Sequence, residues 1–146
     1  MNSQELFKQG YNCAQSVFCA HCKKAGIDFE TGLKLTSSFG GGMGRLREVC
    51  GAVSAMFMLL GLKKGYTAPT DDETKEKHYT KVQELAKKFE NRFGSIVCRD
   101  LLGLPDGKSE AKPAKRTEQY YQERPCEEFI KFASKLIEKE LLNDDI

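Results

Sequence analysis

Six cysteines, at positions 13, 19, 22, 50, 98 and 126, are the residues of this chain best suited to chemistry. A deprotonated cysteine attacks disulfides and ligates soft metals, so both uses need the same ionised sulfur. Six in 146 residues is thinner than the ~8–10% of a small secreted disulfide scaffold. Cysteines dispersed in this way point to redox chemistry, metal binding or burial in a core. Competing chemistries have little support. His21 lies between Cys19 and Cys22, His78 lies amid Lys75, Lys77 and Lys81, and both are expected at the surface. There is no Ser-His-Asp pattern and no paired-carboxylate pattern. Asp71, Asp72 and Glu73 read as a helix start, and Glu48 is a candidate proton carrier two residues before Cys50.

The elements that must hold these sulfurs read as helices. Asn12 is a good N-cap for CAQSVFCAHCKKA, with Gly26 as its stop. Ser3 is a candidate cap for a short first helix ended by Gly10, and Asp28 or Thr31 starts a third helix reaching about Thr36. A fourth helix is expected from about Leu46 to Lys64, with Gly65 at its end. A fifth, about Glu73 to Phe93, carries Val82, Leu85, Ala86, Phe89 and Phe93 at helical spacing. Ser95 is a candidate cap for a turn or two in IVCRDLL. The last helix follows Pro125 to about Leu142, with the stripe Cys126, Phe129, Ile130, Ala133, Leu136, Ile137 and Leu141. Positions 103–125 form a polar connection with Tyr120 and Tyr121 as its main apolar content. A connection of that length is usually a functional lid or mobile. No segment alternates with period two. The expected architecture is all-α, a single-domain bundle of about five to seven helices over residues 1–146.

On this map Cys13, Cys50, Cys98 and Cys126 all fall in first helical turns. Free N–H donors and the helix dipole favour a thiolate there. Arg45 and Arg47 precede Cys50, Arg99 follows Cys98 and Arg124 precedes Cys126, and any that point toward sulfur act in the same direction. Burial explains the same cysteines without chemistry, since Cys50 shares a face with Val53 and Phe57 and Cys126 shares one with Phe129 and Ile130. Cys19 and Cys22 form the only C-x-x-C. No strand precedes it and no second C-x-x-C exists, so it reads as an incidental, oxidisable pair on one helix face.

Ahead of Cys50 stands GGGMGRLREVCG. Gly40, Gly41, Gly42 and Gly44 fit neither a P-loop nor G-x-G-x-x-G, whose last position is Arg45, so no nucleotide site is indicated. Together with Gly51 they read as bare backbone that passes close to the Cys50 helix or leaves N–H groups facing an anion.

Composition narrows the rest. Charged residues make up 30% of the chain but nearly cancel, at a net charge of +2, and Trp is absent. That balance disfavours nucleic acid as a partner. The longest uncharged run, Val49 to Leu62, has 14 residues, short for a membrane span. The first residues lack the apolar core of a signal peptide. A cytoplasmic protein without a membrane span is expected.

The segments NCAQSVF, GGGMGRLREVCGAVSA, MLLGLKKG, CRDLLG and RPCEEFI occur in an order that resembles the C_GCAxxG_C_C family, small proteins described as redox-active. The resemblance spans nearly the whole chain. It implies that Cys13, Cys50, Cys98 and Cys126 are the family's four cysteines, and it leaves Cys19 and Cys22 outside the pattern. Ala55 replaces the last glycine of the C-G-A-x-x-G motif. If that glycine serves helix contact, a slight loosening is expected; if it serves ligand approach, an altered site. The resemblance also implies an association with membrane transporter systems and redox or metal handling.

Three functions follow as expectations. In the first, some of Cys13, Cys50, Cys98 and Cys126 cycle between dithiol and disulfide with an unknown redox partner or small-molecule substrate, Cys50 attacking. In the second, the same four hold zinc or an iron–sulfur cluster. In the third, they are core residues of a non-catalytic binding module. The first and third need no cofactor.

Overall fold

Five side chains begin five helices. Asn2, Asn12, Asp28, Asp71 and Thr117 each accept a hydrogen bond from the backbone N–H three residues on, at 2.8–3.2 Å. This satisfies a donor that the first turn leaves without a partner. At Asn12 the bond is reciprocated, since Gln15 accepts from the Asn12 N–H at 3.1 Å and closes a capping box.

The computed structural model describes residues 1–104 and 107–142. Pro105 and Asp106, inside the expected polar connection, and the last four residues of the expected domain lie outside the described residues. The helical segments are α1 (Ser3–Lys8), α2 (Cys13–His21), α3 (Phe29–Thr36), α4 (Gly40–Met43), α5 (Gly51–Lys64), α6 (Asp72–Phe93), α7 (Cys98–Leu101), α8 (Glu118–Glu123) and α9 (Cys126–Glu140). The architecture is all-α. Two one-turn pieces, α4 and α7, raise the number of segments above the expected five to seven.

The core lies where α2, α5 and α9 meet. Val53, Met56, Leu59 and Leu60 of α5 are fully buried, with Ala14 and Val17 of α2 and Ile130, Ala133 and Ile137 of α9. Contact between α2 and α5 depends on Gly51. A Cβ there would come within 2.9 Å of the Ala14 nitrogen and the Phe39 carbonyl oxygen, both backbone atoms that cannot swing aside. Ala55 is fully buried in the same helix. The long helix α6 closes the far side with Leu85 and Phe89, and Phe89 packs against Phe93, Phe129 and Phe132 at ring distances of 4.9, 6.0 and 6.0 Å. Glu140 of α9 ties α6 down through Lys81 and Lys88, at 2.7 and 2.8 Å.

Three expectations are corrected. The Cys50 helix begins at Gly51, not near Leu46. Residues ahead of it are held extended, because the Cys50 N–H donates to the Ile96 carbonyl at 2.8 Å and the Cys98 N–H to the Glu48 carbonyl at 2.6 Å, around a Val49–Val97 bridge. His21 is in the interior rather than at the surface, with Nε2 2.6 Å from Ser134 Oγ. His78 is half-buried against Tyr66 and Tyr79 rather than on an open polar face. No helix among the described residues is long and apolar enough to cross a membrane.

Candidate functional site

Each of the four cysteines stands at a helix start. Cys13, Cys98 and Cys126 are the first residues of α2, α7 and α9, and Cys50 is the N-cap of α5. The four helix starts converge, so that all four cysteines line one cavity of about 390 Å³. Two local devices bring them together. The short Val49–Val97 ladder sets Cys50 beside Cys98 across paired backbone. Close packing of α2 against α5 and α9 brings Cys13 to the same place.

The glycine run forms part of the same lining and comes up against Cys98. Gly41, Gly42, Met43, Gly44 and Arg45 all have φ between 59° and 70°, so the chain makes a left-handed turn, which L-residues other than glycine adopt only at a cost. Its carbonyls are used within the loop, Gly40 accepting from Arg45 at 3.1 Å, Gly41 from Arg47 at 3.2 Å and Gly42 from Glu48 at 2.9 Å. Gly42 is the tightest point. A Cβ there would lie 2.6 Å from the Cys98 Cβ and 2.9 Å from the Arg47 Cα. Gly40, Gly41, Gly42, Gly44 and Gly51 all border the cavity, and Ala55 does not.

The sulfurs differ in environment. Cys13 and Cys126 share a hydrogen bond. As acceptor in that bond, and with Arg124, Arg116 and Arg47 nearby, Cys126 is pulled down to about 7 despite its burial. Cys13 moves the other way, because it holds the proton of that bond and lies in the field of Cys126, Cys50 and Cys98. Burial pushes Cys50 up to about 12, against the donors of Ala52 and Val53. The expectation of a reactive Cys50 therefore has no support in its surroundings: the helix start is present, but water is excluded and no arginine offsets that. Burial also raises Cys98, opposed by Arg47, whose Nη1 donates to the Cys98 sulfur at 3.6 Å.

The arginines divide. Arg47 is nearly fully buried and also donates through Nε to Ser109 Oγ at 2.9 Å. Arg45 lines the cavity and donates to the Glu110 carbonyl at 2.6 Å, so the polar connection is pinned to the glycine turn. Arg99 instead pairs with Glu48 at 2.8 Å in a half-exposed bridge, and neither of them lines the cavity. Arg116 was not legible as a site residue. Its guanidinium donates to the Phe7 and Tyr11 carbonyls at 3.3 and 3.2 Å and lies over the Phe7 and Tyr120 rings. The one local signal was an arginine beside a candidate cap and two tyrosines.

Cys19 and Cys22, read as an incidental pair, are interior and lie behind Gly32 rather than in the cavity. Burial and the neighbouring Cys22 raise Cys19 to about 12. Among the described residues no group of three or more His, Cys, Asp or Glu side chains is arranged to hold a metal ion. Cys13, Cys50, Cys98 and Cys126, the ligands of the alternative zinc or cluster reading, line one cavity without forming such a group.

A family model described as "Putative redox-active protein (C_GCAxxG_C_C)" matches residues 11–140. Neither a curated protein nor a solved structure matches the chain.

Proposed function

Because the chain belongs to the C_GCAxxG_C_C family of redox-active proteins, we propose that it performs thiol–disulfide exchange, with Cys126 as the attacking thiolate and Cys13 as its resolving partner. The observation that carries this reading is that Cys13 and Cys126 line one arginine-supplied cavity and act on one another's ionisation there. One sulfur of such a pair is stabilised as a thiolate by the other's proton and by positive charge. A thiolate with a pKa near ambient pH is close to the optimum for attack on a disulfide. Cys126 breaks the substrate S–S bond to form a mixed disulfide, and one substrate sulfur leaves as a thiolate. Cys13 then attacks the Cys126 sulfur, closes the protein disulfide and releases the second substrate sulfur. Cys50 and Cys98 line the cavity in their thiol form, and Arg47 holds Cys98 in position.

Thiol counting on protein prepared without oxygen tests this. Mild oxidation should lower the count by two, and peptide mapping should recover a Cys13–Cys126 linkage. A Cys126→Ser variant should lose that change. An unchanged count, or a disulfide confined to Cys19 and Cys22, would contradict the reading.

A further inference from the structure

The cavity carries more positive charge than one thiolate needs. Arg45, Arg47, Arg116 and Arg124 all line it, and no Asp or Glu does among the described residues. Among the described residues every hydrogen-bond partner of these arginines is neutral: the Ser109 hydroxyl and Cys98 sulfur for Arg47, a backbone carbonyl for Arg45, and backbone carbonyls and the Tyr121 hydroxyl for Arg116. Among the described residues the Arg124 side chain makes a ring contact alone, 5.1 Å from the Tyr120 centroid. None of the four is in a salt bridge within the described residues. Arg47 is 3% exposed, and a cation buried without a counter-charge is costly. The cations also oppose one another, since burial and then Arg47 and Arg124 lower the proton affinity of Arg45. One thiolate offsets one of four positive charges.

An anion that enters this cavity therefore meets a desolvated Arg47 and the half-buried Arg45, Arg116 and Arg124, with the four cysteines in the same lining. Size limits what can enter. Cys126 is 7% exposed, and the cavity of about 390 Å³ lies within the ~300–1,000 Å³ of small-molecule sites. Ala111, Pro113 and Ala114 of the pinned connection form part of its wall, which restricts the approach of a folded partner.

We infer that the substrate is a low-molecular-weight disulfide bearing carboxylates, bound by these arginines with its sulfur–sulfur bond at the cysteines. The inference rests on the thiol–disulfide reading above. The balance is that of the exchange itself. The Cys126 thiolate and the Cys13 thiol give up two electrons and become a disulfide. The substrate disulfide takes them up and leaves as one thiol, carrying the Cys13 proton, and one thiolate. The arginines hold the carboxylates and stabilise the departing thiolate. They are positioning residues, since no electron or proton of the exchange passes through them.

Three disulfides of similar size and different charge test the inference: dithiodiglycolate (dianionic), bis(2-hydroxyethyl) disulfide (neutral) and cystamine (dicationic). For the reduced chain, the second-order rate of Cys13–Cys126 disulfide formation should be at least ~10-fold higher for the dianion than for the neutral reagent, relative to the same ratio for dithiothreitol. The dication should be slowest. The dianion's advantage should shrink severalfold in 0.5 M salt, and should fall toward one in Arg124→Gln and Arg45→Gln. The rate ratio cancels any change in thiolate fraction, and the salt series on the unaltered chain still decides if a variant does not fold. If all three reagents form the Cys13–Cys126 disulfide at comparable rates, the substrate class is wrong and the redox pair stands. If none forms it, the redox pair fails and the substrate class with it.

Discussion

At the scale of single residues, position in a helix does not set cysteine reactivity. All four motif cysteines have a helix start, yet only Cys126 is pulled below the ordinary thiol range. The hydrogen bond from Cys13 comes first, and the arginines second. The sign follows from this. Alkylation of Cys126 by a neutral reagent should rise with pH through a midpoint near 7 and level off above it, because the pH-dependent species is the thiolate. Cys13→Ala should move the midpoint up by removing the proton donor. Arg124→Gln should move it up by a smaller step. Mass-spectrometric labelling rates across pH 5–9 measure both shifts, and a midpoint that stays put in Cys13→Ala would exclude the shared bond as its cause. Gly42 is a second residue-scale matter. Its φ of 69° and its closeness to the Cys98 Cβ mean that Gly42→Ala should cost about 1–3 kcal/mol in urea unfolding, with strain and contact acting together.

At the scale of elements, the site depends on how helix starts are held. Asn12 and Gln15 close a reciprocal cap one residue before Cys13, and Asn12 Nδ2 also donates to the Ser37 carbonyl at 3.3 Å, linking α2 to the entry of the glycine turn. Asn12→Ala should therefore lower stability by about 1–2 kcal/mol, and should also weaken protection of the Gln15 amide, which donates to Asn12 Oδ1, in hydrogen exchange. The contact of α5 with α2 is less tolerant. In Gly51→Ala the added methyl meets backbone on two sides. Overpacking of that kind costs about 1–3 kcal/mol, measurable as a lower denaturant midpoint. Ala55, one turn on, already carries a methyl without reaching the cavity wall, so its departure from the motif glycine concerns helix packing, not ligand access.

At the scale of the whole molecule, a net charge of +2 conceals an uneven distribution. Four arginines converge on one cavity, while α6 keeps its many charges on the surface and contributes Leu85 and Phe89 to the core from the far side. Core and site should be separable there. Leu85→Ala removes a fully buried side chain that does not line the cavity. It should cost about 2–5 kcal/mol of unfolding free energy while the Cys126 alkylation midpoint stays where it was. A midpoint that moved with stability would show that α6 packing transmits to the cysteines.

Much of this was written locally. Asn12, Asp28 and Asp71 mark helix starts because a short polar side chain satisfies nearby N–H groups whatever the rest of the chain does. The stripe from Phe129 to Leu141 marks a buried helix face for an equally local reason. These signals, with the ordered cysteine motifs, determined the all-α class, the family and the placement of four cysteines at helix starts. They could not decide which sulfur is acidic. That depends on the Cys13–Cys126 contact, on arginines brought in from positions 47, 116 and 124, and on the exclusion of water around Cys50. The late start of α5 and the burial of His21 had the same origin, in long-range partners at Ile96 and Ser134. Charge and desolvation act through space, so only the tertiary structure could draw four similar cysteines apart, lowering Cys126 and raising Cys13, Cys50 and Cys98.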